Sequence, residues 1–204
     1  MTSRNHVDTE LQHDWQRFVS HITAPANLAI RITPATLWIA LEDLLMEWRA
    51  LWRSEWFAAV KDQLINSKWT LKDLMAHVAS WAAELRAQAE ILAGGTGVGY
   101  QILFDEIGGP RSWNVEKVEL RRRRLLEEVI GEIERETIRF QDLLFEVDIP
   151  ALLTKHPIGI ALAATPGEPR IRSIAGLVEM RCIHERHHMN RIIQWKRVKL
   201  GGDL

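Results

Sequence analysis

Across four long stretches of this chain the apolar residues recur every three or four positions, and no stretch shows a clear alternation of period two. Such spacing gives each stretch one apolar stripe as a helix, and a helix of that kind is stable only when another element covers the stripe. The pattern predicts an all-α fold, a four-helix bundle whose helices bury their stripes against one another. One core suffices for 204 residues, so a single domain over 1–204 is expected.

Pro34 opens the first helix, with Leu37, Trp38, Leu41, Leu45, Trp48, Trp52 and Trp56 along its stripe, and the spacing carries it to Leu64. Thr70 and Asp73 form a capping pair for the second, Leu71 to Ala93, whose stripe is Leu74, His77, Val78, Trp81, Leu85 and Leu92. Asn114 is the cap expected for the third, which turns Val118, Leu125, Leu126, Val129, Ile133, Phe140 and Leu144 inward and ends near Val147. Ser173 caps the last, running to Leu200 with Ile174, Leu177, His184, His188, Ile192 and Trp195 on one side. Gly94, Gly95, Gly97 and Gly99 begin a loop that continues past Pro110 to Trp113. The segment 149–172, with Pro157, Pro166 and Pro169, reads as a long loop with at most a short helix or extended piece around Ile158 to Ala164. Residues 1–33 form an N-terminal extension, a weak helix from Asp8 to His21 followed by a connector, and leave the bundle proper to 34–199.

Composition narrows the function classes. A formal net charge of -1 supplies no field that would draw the protein onto nucleic acid or an acidic membrane. Charges such as Glu42, Glu47 and Arg49 interrupt the most apolar stretch, so no membrane span is expected. The single cysteine, Cys182, cannot form an intramolecular disulfide, and the N-terminus lacks an apolar signal core; both point to the cytoplasm. Nine tryptophans must each find room and a partner for the indole N–H, and a stripe of them at helical spacing is core or dimer interface by default.

Histidines carry the strongest chemical signal. His184 and His188 stand one turn apart on the apolar side of the last helix, and His77 interrupts the apolar stripe of the second. A buried imidazole without a partner costs roughly 1–3 kcal/mol, so three of them directed into one core call for hydrogen bonds or a metal. Three neutral imidazoles can hold a divalent ion on one face and leave other positions open, as a catalytic metal requires.

The stretch Trp69-Thr-Leu-Lys-Asp-Leu-Met-Ala-His77-Val-Ala-Ser-Trp81 and the stretch His184-Glu-Arg-His-His188-Met-Asn-Arg-Ile-Ile-Gln-Trp195 resemble the two signature helices of the DinB-like superfamily. The resemblance follows the helix order from Pro34 to Lys199, but only those two segments are specific to it. It implies a DinB-like four-helix bundle, commonly a homodimer, in which His77, His184 and His188 bind zinc, nickel or a similar ion. Members of that superfamily include thiol S-transferases that use bacillithiol, mycothiol or glutathione, so a low-molecular-weight thiol is an implied cofactor and a small electrophile an implied substrate. The N-terminal extension and the long loop over 149–172 depart from the family pattern, and substrate is not carried across them.

Rival motifs are weaker. His184, Glu185 and His188 also spell HExxH, the zinc-peptidase helix, but a metzincin continues with a glycine at position 191 and a histidine at 194, where Arg191 and Gln194 stand. A thermolysin-like glutamate ligand is missing downstream of His188. A di-iron carboxylate bundle needs two ExxH pairs, and although Glu10 with His13 and Glu185 with His188 have that spacing, Leu74 stands where a glutamate should precede His77. His187 falls off the inward stripe, Cys182 reads as a buried inert thiol, and Arg122 reads as a residue paired with nearby glutamates such as Glu119. The expected function is metal-dependent thiol transfer or hydrolysis on a small molecule, with no catalytic base assigned; the alternative is a non-catalytic, metal-binding dimeric bundle with a role in stress or sequestration.

Overall fold

Thr33 starts the first long helix in the computed structural model, which describes residues 32–94, 109–157 and 171–201. Its hydroxyl accepts from the Thr36 amide at 3.1 Å while the Thr36 hydroxyl accepts from the Thr33 amide at 3.0 Å, and Pro34 occupies the first turn, where a missing N–H is harmless. Helix α1 runs Pro34–Trp52 and is followed by the short α2, Glu55–Ala59. One helix reaching Leu64 was the expectation from spacing. The Ser54 hydroxyl instead donates to the Leu51 carbonyl at 2.5 Å, which closes α1, and Ser54 adopts the extended backbone that starts α2.

Thr70 and Asp73 cap α3, Leu71–Ala93, through the reciprocal bonds that their spacing implies, 3.1 Å in each direction. Every residue from Asp73 to Ala82 is buried, and small side chains at Ala76, Ala79, Ser80 and Ala82 let neighbours approach on several sides. The third helix of the sequence reading is two helices, α4 (Gly109–Glu119) and α5 (Leu126–Glu146). Asn114 lies inside α4 and caps nothing. The chain turns at 120–125 because Arg121 and Arg124 both pair with Glu132 farther along, and the Glu128 carboxylate reaches back to the Leu125 amide at 2.7 Å to open α5. Tertiary ion pairing overrides an apolar spacing that continues through the turn.

Helix α6 (Ile149–Leu153) and two two-residue strands, β1 (His156–Pro157) and β2 (Ile171–Arg172), frame the segment before the last helix. The strands pair antiparallel, His156 opposite Arg172. Ser173 caps α7, Ile174–Leu200, through its side chain to the Gly176 amide at 3.2 Å, and Gly201 ends it in the left-handed conformation with φ 62°. The helix expected from Asp8 to His21, the Glu10–His13 pair, the glycines at 95, 97 and 99 and the extended piece at 158–164 lie outside the described residues.

The described residues are thus mostly helical, and the four long helices pack in a closed circuit: α1 and α3 each lie against both α5 and α7. Their stripes meet in a core of Leu41, Leu45, Trp48, Leu74, Ile133, Phe140, Leu177 and Ile192, each nearly inaccessible to solvent. Full burial of such side chains contributes about 1.5–3 kcal/mol apiece. No helix among the described residues is long and apolar enough to cross a membrane.

Candidate metal centre

Helices α3 and α7 bring His77, His184 and His188 together. One ligand atom from each lies within 4.8 Å of the others, and no cysteine, aspartate or glutamate joins them among the described residues. His77 and His188 are buried, at 5% and 8% exposure, and His184 is half-buried, so little of the cluster meets water.

The orientation of the rings is more informative than their proximity. His184 Nε2 stands 3.2 Å from His77 Nε2 and 3.1 Å from His188 Nε2. A neutral imidazole nitrogen carries either one hydrogen or one lone pair, so this atom can complete one of the two hydrogen bonds but not both. Among the described residues the Nδ1 atoms of all three rings are also buried without an aligned partner. As separately satisfied core histidines these rings would be badly served. A single cation accepts all three Nε2 lone pairs at once. Two nitrogens bound at 2.0–2.1 Å with angles between octahedral and tetrahedral stand roughly 2.8–3.4 Å apart, and the two separations made by His184 fall inside that interval, while all three ligand atoms lie within 4.8 Å of one another. Three neutral nitrogens so placed are a donor set suited to a divalent ion once the His77 and His188 rings draw together around it.

Electrostatics favour the form that binds metal. Burial drives the His77 imidazole down to about 3, against a smaller upward pull from Asn114. Burial also holds His184 and His188 well below the ordinary histidine range, with neighbouring histidines and Arg181 or Arg191 adding to the effect. All three are neutral near pH 7, with lone pairs available.

Aromatic rings wall the cluster. Asn66 accepts from the Lys68 and Trp69 amides at 2.8 Å each, and the turn it makes sets the Trp69 ring 4.9 Å from His77. Trp81 lies 5.8 Å from His184 and 4.8 Å from Trp113, and its indole N–H donates to Asn114 Oδ1 at 2.9 Å. Sequence spacing placed Trp81 in this layer; Trp69, Trp113 and Asn114 were not assigned to it, because the first belongs to a turn and the others to a helix whose start was misplaced.

The remaining candidates are elsewhere. Glu185 points away from the histidines and is held by Arg181 and Trp48, so it is not placed as a peptidase base. His187 packs edge-on against His188 with ring centroids 5.4 Å apart, beside the cluster rather than in it. Cys182 is buried, and burial followed by the nearby Glu185 raises its thiol to about 11, which suits an inert core thiol. Arg122 pairs with Asp73 and Glu119 at the surface. Trp48 is fully buried and stacks on Trp52 at 5.8 Å, whereas Trp56 belongs to α2 and packs on Phe57. None of the family models, curated proteins or solved structures compared with the chain matches it.

Proposed function

We propose that the chain is a DinB-like four-helix bundle in which His77, His184 and His188 hold one divalent ion, zinc or nickel, and that it is a thiol S-transferase-like or hydrolase-like enzyme acting on a small electrophilic molecule. The convergence of the three Nε2 atoms carries this reading: one ion satisfies all of them, and three protein ligands leave coordination positions for a reactant. The closed circuit of α1, α3, α5 and α7, with the ligands on α3 and α7, supports the bundle assignment. When bound, such an ion lowers the pKa of a coordinated water or thiol and so provides a nucleophile near neutral pH.

The chain's own residues have definite tasks in this scheme. His77, His184 and His188 remain neutral and present their lone pairs. Trp69, Trp81 and Trp113 exclude water from the side of the cluster they cover. Asn114 fixes the Trp81 ring through its indole N–H. Association as a homodimer and a cytoplasmic setting complete the proposal.

Metal-loaded protein should accelerate conjugation of 1-chloro-2,4-dinitrobenzene with at least one of glutathione, bacillithiol or mycothiol, or hydrolysis of a p-nitrophenyl ester, beyond the rate given by free metal. The gain should be absent in His188→Ala. No gain with any thiol or ester in protein shown to carry metal would reject catalysis and favour the non-catalytic, metal-binding alternative.

A further inference from the structure

Arg181 and Glu185 are both at 0% exposure, an ion pair sealed in the core of α7 with Arg181 Nε donating to Glu185 Oε1 at 2.7 Å. Glu185 follows His184 directly, and Arg181 precedes His188 by two turns, within about 20° of it around the helix. The remaining groups of the pair bond to other helices. Trp48 on α1 donates its indole N–H to Glu185 Oε2 at 2.6 Å. Arg181 Nη2 donates to Thr137 Oγ1 at 2.6 Å, and Nη1 to the Glu136 carbonyl at 3.3 Å, both on α5. The Glu136 carboxylate in turn accepts from Arg86 on α3, nine residues beyond His77. One polar chain thus ties together all four long helices.

A buried ion pair is a poor source of net stability, because desolvation offsets the attraction, but its directional bonds select one arrangement. Apolar contacts do so less strictly. A rotation of α7 by 20° leaves much of the same surface covered yet moves side-chain atoms by about 2 Å, given a helix radius of roughly 5–6 Å. Metal-ligand distances tolerate only about 0.2 Å. Taking the metal centre proposed above, we infer that Arg181 and Glu185, with Trp48, are positioning residues that set the rotation and register of α7 so that His184 and His188 meet His77.

The test compares metal-free wild type with Arg181→Met/Glu185→Leu, an apolar replacement of the pair, using Co²⁺ as the probe. Affinity is read by competition with a chromophoric chelator, geometry by the visible absorption of bound cobalt, and folding by circular dichroism. The expected result is a helical double variant that binds Co²⁺ about 10–100-fold more weakly with an altered spectrum. Wild-type affinity and spectrum in the folded double variant would overturn the positioning role while leaving the metal centre intact. Should the double variant lose its helical signal, Trp48→Phe carries the same test: it keeps a ring and removes only the donor to Glu185, with weakening of about threefold or more expected and an unchanged spectrum and affinity decisive against the role. No cobalt uptake by the wild type would overturn the metal reading and this inference with it.

Discussion

Replacing Arg181 by methionine isolates the energetics of the core ion pair. The substitution removes the donors to Glu185, Thr137 and the Glu136 carbonyl and leaves the Glu185 carboxylate sealed from solvent with Trp48 as its remaining donor. Breaking a buried pair from one side costs about 3–5 kcal/mol, because the other charge stays desolvated and unbalanced. For a chain of this size each kcal/mol lowers the melting temperature by about 2–4 °C, which gives a fall of about 6–20 °C. Thermal and urea unfolding of the metal-free proteins at pH 7, followed by circular dichroism, measures it. Removing the second charge as well, in Arg181→Met/Glu185→Leu, should recover most of the loss and bring the double variant within about 1 kcal/mol of wild type or above it. A single variant that loses under about 1 kcal/mol, or a double variant no better than the single, would refute the claim that these two charges are buried as one interdependent unit.

Glu132 should govern part of the acid sensitivity: desolvation pushes its carboxyl up, but Arg121 and Arg124 outweigh this and hold it below the ordinary value of 4.5. A depressed carboxylate contributes stability that is present above the unfolded pKa and lost as pH falls through the folded one, so wild type should weaken steadily below about pH 4.5. Glu132→Gln should be less stable by about 1–3 kcal/mol at pH 7 and lose less on acidification; parallel urea midpoints for both proteins from pH 7 down to about pH 3 would count against this. Cys182, with its thiol near 11 and its side chain against the Ala40 carbonyl, should resist iodoacetamide at pH 8 in native protein and react fully in urea; rapid native alkylation would contradict its burial. Thr70→Ala should destabilise the protein by about 0.5–2 kcal/mol through loss of the α3 cap, a change measured by urea denaturation and contradicted by an unaltered midpoint.

Helices α3 and α7 were legible from sequence to the residue at their starts, because Thr70 with Asp73 and Ser173 are local signals whose hydrogen bonds close within three positions. The same locality made His77, His184 and His188 readable: each interrupts an apolar stripe, and stripes that face a common core bring their members together. The break at Ser54 turns on a local bond to Leu51 that a continuing apolar spacing conceals, and the other departures are set by partners beyond the local turn. The turn at 120–125 depends on Arg121 and Arg124 finding Glu132, and the apolar spacing on both sides hides it. Asn114 looked like a cap because short polar side chains favour caps, yet it meets Trp81 from within α4. Arg181 and Glu185 carry a signal of their own in the sequence, an opposite-charge pair four apart with the arginine on the histidine stripe of α7. A charge on a buried stripe must have partners, and naming them requires the neighbouring helices.

Metal content tests the central claim most directly. Wild-type protein exposed to Zn²⁺ or Ni²⁺ and dialysed should retain about one ion per chain by elemental analysis, and His77→Ala and His188→Ala, confirmed as helical by circular dichroism, should each lose most of it. Retention undiminished in both variants, or no retained metal in the wild type, would contradict a centre built from α3 and α7.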